Sequence, residues 1–419
     1  MDRVCAPMNG PSLVVHYHEL WLKGGNRDFF LHKLRLALRL ALEGLPVTRI
    51  TRPGDRMVIE LRDAEAAGEA MTRLERVSGI AYYGMARLVP REQRSLETIC
   101  QAAWEEAQEG AFETFAVRVK RSDKTFPIPS LEMERQVGGY LLERLRAAGR
   151  EVRVNLREPE RTFHVEITPG PALVYANRHP GAGGLPAHTA GRLVCLLSGG
   201  FDSAVAAHKM MRRGAHITFA HFWGGGSAPG ESSVHVAREL VRRLTPWQFT
   251  SKLFLVPFEA LQREIALLAP ENSRILLYRR LMLRVAERIA GIEKAKGIVT
   301  GDSLGQVASQ TLQNMAAVGA AARLPIFRPL VGDDKQEILA MARRIGTHDI
   351  SAEHFHDCCR LLLPRAPALF ATAEELEHAE ASLDVPRLVQ RAMETLTVER
   401  YRYAAGRVEQ VTAIRSARA

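Results

Sequence analysis

Cysteine is scarce: Cys5, Cys100, Cys195, Cys358 and Cys359 are the five in 419 residues, an odd number with no C-x-x-C pair. That excludes a secreted disulfide framework and leaves a zinc ribbon or a thiolate-bound iron–sulfur cluster without a ligand set. Long apolar runs are missing too. A stretch such as Leu193–Leu197 falls far short of the roughly 18 residues that span a bilayer, and Met1–Pro11 lacks the apolar core of a signal peptide. A cytoplasmic chain with no membrane partner is expected. No G-x-x-x-x-G-K-[ST] string occurs, which excludes a Walker A phosphate loop.

What is present is an ordinary globular composition, 46% apolar and 25% charged. At roughly 150 residues per domain the chain is long enough for two to four of them. The net charge of +10 is uneven: residues 1–170 carry 26 basic and 24 acidic side chains, residues 171–419 carry 31 and 23. A basic excess is a modest pointer to a polyanionic partner, because Lys and Arg that neutralise phosphates release counterions.

Periodicity divides the chain into three parts. Ser12–His16 reads as a strand, Asn26–Leu42 as an amphipathic helix capped by Asn26, and Val47–Arg52 and Met57–Leu61 as strands across Pro53-Gly54-Asp55. A helix at 64–77 and a strand at 81–88 complete a β-α-β-β-α-β order, the split ferredoxin-like unit. The block 93–177 repeats the mixture: helix 95–108, strand Thr114–Lys120, a helix from Ser130 to Ala148 with Ser130 as its cap, strands Val152–Asn155 and Thr162–Thr168, and the apolar piece Ala172–Tyr175. A Gly- and Pro-rich stretch, His179–His188, reads as a linker. Beyond it, continuous apolar strands alternate with helices, which predicts a doubly wound parallel sheet and an α/β class overall.

Strand Leu193–Leu197 runs straight into Ser198-Gly199-Gly200-Phe201-Asp202-Ser203 and then a helix. Two glycines let backbone N–H groups turn inward, two hydroxyls can donate, and a helix N-terminus points its dipole at the same spot, which is a cradle for pyrophosphate. Asp202 would repel such a ligand unless a cation bridged the two, so Mg²⁺ is implied with the nucleotide rather than at a protein-only metal site. The plainer alternative is a βα turn in which Asp202 caps the helix.

The string resembles the SGGxDS loop of the PP-loop ATP pyrophosphatases. Gly301–Thr311, Arg328–Ile338 and Ile345–Ser351 look like successive blocks of the tRNA 4-thiouridine synthetase (tRNA sulfurtransferase, ThiI) family, Val117–Pro127 is similar to its THUMP domain, and His18–Arg27 resembles its N-terminal ferredoxin-like domain. Two departures are Ala204, where the family usually has Pro, and the segment 223–230. The resemblance implies an N-terminal ferredoxin-like domain over 1–75, a THUMP domain over 76–177, a linker at 178–190, a PP-loop domain over 191–402 and a tail at 403–419. Longer members carry a rhodanese domain, and the chain is expected to be the short form.

The implied reaction adenylates the C4 oxygen of uridine 8 in tRNA with ATP and replaces it by persulfide sulfur, giving 4-thiouridine; sulfur for the thiazole of thiamine is a further implied product. ATP would lie on Leu196, Leu197, Ser198, Gly199, Gly200, Asp202, Ser203, His221, Phe222, Arg279, Gly301 and Gln310, with Arg280 a possible exchange for Arg279. Asp202 and Lys335 would handle charge at the phosphates. Cys359, with Cys358 as second choice, would carry the persulfide delivered by a cysteine desulfurase. His354 and His356 beside these cysteines suggest a metal, but adjacent ligands chelate poorly. Arg118, Lys120, Arg121, Lys124 and Phe126 would hold tRNA, and a homodimer is expected. The competing readings are a PP-loop ligase adenylating a small carboxylate and a non-catalytic tRNA-binding protein.

Overall fold

The computed structural model describes residues 11–224, 233–353 and 367–415. Two compact units divide between Gly184 and Leu185.

The first unit runs β1 (Ser12–His16), α1 (Arg27–Ala41), β2 (Val47–Thr51), β3 (Arg56–Leu61), α2 (Ala66–Leu74), β4 (Tyr82–Val89), α3 (Leu96–Ala107), β5 (Thr114–Arg121), α4 (Ser130–Ala147), β6 (Arg153–Val154), β7 (Arg161–Ile167), β8 (Ala172–Tyr175) and β9 (His179–Pro180). Its sheet order is β2-β3-β1-β4-β8-β7-β5-β6, with β9 also on β4. Strand β4 pairs with β1 over Tyr82–Ala86 and with β8 over Arg87–Val89. The expected cut at 75/76 therefore falls at the end of α2, just before a strand that serves both halves. Part of the expected linker is strand as well, since His179 and Pro180 pair with Tyr83 and Tyr82. Where the halves meet, the buried Glu166 carboxylate accepts the Tyr175 hydroxyl at 2.7 Å and lies 2.8 Å from Nε of the fully buried Arg56.

Two caps differ from expectation. Asn26 stands at the start of α1 but its side chain makes no capping bond. Ser130 is the first helical residue of α4 because Pro129, fixed at φ −62°, already occupies the cap position.

The second unit runs β10 (Arg192–Leu196), α5 (Phe201–Arg212), β11 (His216–Trp223), α6 (Ser233–Leu244), β12 (Thr250–Pro257), α7 (Glu259–Leu268), α8 (Arg274–Glu293), β13 (Ile298–Val299), α9 (Leu312–Gly319), β14 (Ile326–Phe327), α10 (Lys335–Ile345), α11 (His348–Ala352), α12 (Ala373–Glu380), α13 (Val385–Thr395), β15 (Thr397–Ala404) and β16 (Arg407–Arg415). The sheet order is β14-β13-β10-β11-β12-β15-β16. The first five strands are parallel and the last two antiparallel. Residues 403–415, expected as tail, thus finish β15 and form the edge of the sheet.

Alternation along the parallel strands explains their unbroken apolar sequences. Val194, Ala220, Phe254 and Ile298 face a core built with α7, α8, α12 and α13, while Leu193, Cys195, Phe219, Leu253 and Val299 face one built with α5, α6 and α10. Both faces are covered, so neither can be polar. No described helix is long and apolar enough to cross a membrane.

Candidate functional site

Strand β10 is followed in space by β11 and β12 on one side and by β13 and β14 on the other. The loop after β10 therefore lies at the switch point of the sheet, where the carboxyl ends of diverging strands open a crevice. Residues 198–200 fill that turn. Gly199 has φ +86°, a conformation that side chains rarely adopt, and Gly200 stands at the N-cap of α5 without a side-chain capping bond. The loop is closed by its own serines: Ser203 Oγ accepts the Ser198 N–H at 3.1 Å, and Ser198 Oγ accepts the Gly200 N–H at 3.2 Å. Ser203 is buried and also donates to the Gly200 carbonyl at 3.3 Å. Its hydroxyl shapes the cradle rather than pointing out of it, whereas Ser198 is exposed at the mouth.

The loop after β13 closes on this turn. A Cβ on Gly301 would lie 2.7 Å from the Ser203 amide nitrogen, so only glycine permits the approach. From the same loop Gln306 donates to Asp202 Oδ2 at 3.0 Å. Lys335, first residue of α10, reaches the other oxygen, Oδ1, at 2.8 Å. It is aimed by a capping box in which Asp334 and Glu337 satisfy the helix start. A latch supports the turn before it: Lys209 pairs with Asp333, and Ser303 donates to the Asp333 carbonyl at 2.9 Å. Asp202 and Lys335, 133 positions apart in sequence, thus meet at the helix N-terminus.

Arg279 and Gln310 converge on one carboxylate. Arg279 pairs with Asp302 Oδ1 and donates to Ser309 Oγ at 3.0 Å, and Gln310 reaches Asp302 Oδ1 at 3.4 Å. The choice between Arg279 and Arg280 is resolved by direction. Arg280 is 1% exposed, with both ends of its fork on Glu380 at 3.0 Å and Nη1 on the Ala317 carbonyl at 2.7 Å. It is a buried strut between α8 and α12. Removing one partner of a buried ion pair costs about 3–5 kcal/mol. Arg284 also bonds Glu380, so Arg280→Ala should fall at the lower end of that range by denaturant unfolding, while Arg279→Ala should cost clearly less.

The side chains of His221 and Phe222 are not open surface. His221 is 1% exposed, and since a carbonyl cannot donate, its Nδ1 carries the proton given to Leu197 O at 2.7 Å, while Nε2 lies 3.0 Å from Ser233 Oγ. Phe222 packs edge-on against Phe258 at 5.3 Å within the core, and the Leu197 side chain is also core. The side chains of all three are thus buried at the ends of β10 and β11. Leu196 lines a small cavity with Arg279, Thr300 and Asp302. Cys358 and Cys359 lie outside the described residues, as does 225–230 of the atypical segment. Among the described residues no His, Cys, Asp and Glu cluster could hold a metal by itself.

Family models match in chain order: the ThiI ferredoxin-like domain over 12–84, the THUMP domain over 93–177, and "Thiamine biosynthesis protein (ThiI)" over 188–385. The chain is 44% identical to a probable tRNA sulfurtransferase of Thermus thermophilus, across 93% of each chain. It is 40% identical to one of Moorella thermoacetica, across 92% of this chain and 97% of the relative. The chain belongs to the ThiI family of tRNA sulfurtransferases. A crystal structure described as a 4-thiouridine synthetase–RNA complex with bound ATP aligns at a TM-score of 0.83 and 30% identity, covering 93% of this chain and 99% of that one.

In this ThiI chain the five THUMP residues singled out from sequence part company. Arg118, Lys120 and Lys124 are exposed, with Arg118 Nη2 also donating to the Leu156 carbonyl at 2.5 Å. Arg121 folds back to donate to the carbonyls of Ile128 at 2.6 Å and Lys124 at 3.0 Å, holding the turn. Phe126 is buried in the THUMP core beneath the Arg94 guanidinium, 5.3 Å from its ring centre, and offers no stacking face. Sequence reading also missed Asp302, Gln306, Lys209 and Asp333. The first two lie inside the Gly301–Thr311 block, and their polar character in a loop after a buried strand was the available signal.

Proposed function

We propose that this chain activates the C4 oxygen of uridine 8 in tRNA as an adenylate, using ATP and Mg²⁺ and releasing pyrophosphate, and that the terminal sulfur of a persulfide on Cys359 or Cys358 displaces AMP at C4, after which a second thiol cleaves the S–S bond and ends as a disulfide. The observation that carries the reading is the meeting of Asp202 and Lys335 at the N-terminus of α5, beside a turn whose conformation suits a pyrophosphate. A carboxylate beside an anion cradle fits a bridging cation, and Asp202 is the residue that would hold it. When bound, Mg²⁺ and ATP supply a leaving group and offset negative charge.

The protein's own contributions follow from the geometry. Backbone N–H groups at 199 and 201–203 and the helix dipole hold the phosphates, the Gly200 N–H being given to Ser198 Oγ. Gly301 lets the loop after β13 close on the turn at 198–200, since a Cβ there would lie 2.7 Å from the Ser203 amide nitrogen. Lys335 pairs with Asp202 in the free protein and is placed to turn to phosphate charge as it develops. The proposal includes a cysteine desulfurase as sulfur donor, a homodimer as the working form, and sulfur supply to thiamine thiazole as a second use of the persulfide.

Release of AMP and pyrophosphate from ATP should depend on unmodified tRNA, with 4-thiouridine formed when a desulfurase and cysteine are present. Turnover that responds only to a small carboxylate would favour the ligase reading, and absence of turnover in a protein that binds tRNA would favour the non-catalytic one. For tRNA binding, replacing Arg118, Lys120 and Lys124 together with Gln should weaken affinity and reduce the slope of log K against log salt by roughly one unit for each phosphate that is no longer neutralised. Arg121→Gln should leave the slope unchanged, because its guanidinium serves the turn.

A further inference from the structure

The candidate nucleotide site contains a second carboxylate to which neither the loop motif nor the family resemblance gives a role. Asp302 follows β13 and is 4% exposed. Its two oxygens are divided. Oδ1 faces Arg279 from α8 and Gln310 from the loop before α9, the two side chains expected on ATP. Oδ2 accepts the Thr300 hydroxyl at 2.8 Å and lies 3.4 Å from Nε of Arg328, whose Nη2 is anchored on the Met315 carbonyl at 3.1 Å. One oxygen is thus held by Thr300 and Arg328 and the other by Arg279 and Gln310.

Charge and burial say what this arrangement does. Burial alone would push the Asp302 carboxyl up, but Arg279, the Thr300 hydroxyl and Arg328 outweigh it and hold the group below the usual carboxylate range. An ionised, nearly water-free carboxylate between two guanidiniums leaves one unit of positive charge in surplus. A nucleotide anion would meet that surplus. It would also meet an Arg279 already ordered, since a long side chain pinned in advance loses less rotamer freedom on binding.

We propose that Asp302 is a positioning residue for the nucleotide: it sets Arg279 and Gln310 for ATP from behind, without touching the ligand. This rests on the reading that ATP binds at the cradle. A purely structural Asp302 would move stability and leave ATP affinity in the folded protein alone, so the two roles separate experimentally.

The test uses the full chain with ATP and Mg²⁺, measuring ATP affinity by calorimetry, KM and kcat in the tRNA-dependent assay, and the thermal midpoint. Asp302→Asn keeps the shape and removes the charge. Hydrogen bonds to charged groups are the stronger kind, so Kd and KM for ATP should rise by about tenfold or more, with a smaller fall in kcat. Combined with Arg279→Gln, the effect on Kd should be clearly less than the product of the two single effects, since both act through one contact. Wild-type ATP affinity in folded Asp302→Asn, or strictly multiplicative effects, would overturn the proposal. Should Asp302→Asn fail to fold, Thr300→Val removes only the neutral donor to Oδ2. A several-fold rise in Kd supports positioning, and an unchanged Kd overturns it. Wild-type protein that binds ATP but forms no 4-thiouridine would sink the sulfurtransferase reading and leave this inference to the calorimetry. Wild-type protein that does not bind ATP would sink both.

Discussion

Asp202→Asn should lower tRNA-dependent AMP release by about a hundredfold to a thousandfold, the range seen when one group that stabilises developing charge is removed, with little change in the unfolding midpoint. The fold tolerates the change because the Asp202–Lys335 pair is partly open, with side chains 23% and 42% exposed. Pairs of that kind contribute about 0–1 kcal/mol. Asn keeps a short polar side chain in the first turn of α5 and can still accept from Gln306. What it cannot do is hold a divalent cation with a full negative charge or set Lys335 against an opposite charge. The helix-cap alternative predicts the reverse pattern, because an acidic residue acting only on the dipole would shift stability by about 0.3–1 kcal/mol and leave turnover alone. Single-turnover AMP formation at saturating Mg²⁺ distinguishes the two, and a rate within fivefold of wild type would remove Asp202 from the cation's neighbourhood.

The cradle is legible in the sequence because its signal is local: an apolar strand, two glycines and a helix start lie in one continuous string. Lys335 stands out only through resemblance, since its partner is Asp202 and no periodicity links the two. Direction is harder to read than position. Arg279 and Arg280 are neighbours in sequence, but successive helical residues point about 100° apart, and the facing elements decide which one meets a loop and which meets Glu380. Phe126 reads as a stacking face because it sits among charges, yet the turn around it buries the ring and leaves only the charges outside. Strand β16 reads as a tail because Arg407–Arg415 has no long apolar run, as befits the edge of a sheet. Its hairpin turn, Ala405-Gly406, has φ of +47° and +85°, values typical of a two-residue type I′ loop usually announced by Asn-Gly.

Replacing Cys358 and Cys359 together with Ser should abolish 4-thiouridine formation, to below about one per cent of wild type, while tRNA binding and ATP-dependent activation persist. A sulfur nucleophile needs a thiolate or persulfide at neutral pH, and burial forbids that at the two described cysteines. Cys195 is fully buried in β10 and its thiol is pushed up to about 12; Cys100, buried in α3, is pushed up to about 11. Ala at either position should therefore leave thiolation intact once the fold is confirmed. Serine is the informative replacement at 358 and 359, because a hydroxyl is close in size but cannot take sulfur from a desulfurase. Of the single variants, Cys359→Ser should match the double variant and Cys358→Ser should retain measurable product. The opposite order would assign the persulfide to Cys358. Residual product in both singles but not in the double would mean that either cysteine can accept sulfur. Thiolation that survives the double replacement would move the nucleophile elsewhere and overturn the assignment, even with ATP turnover unchanged.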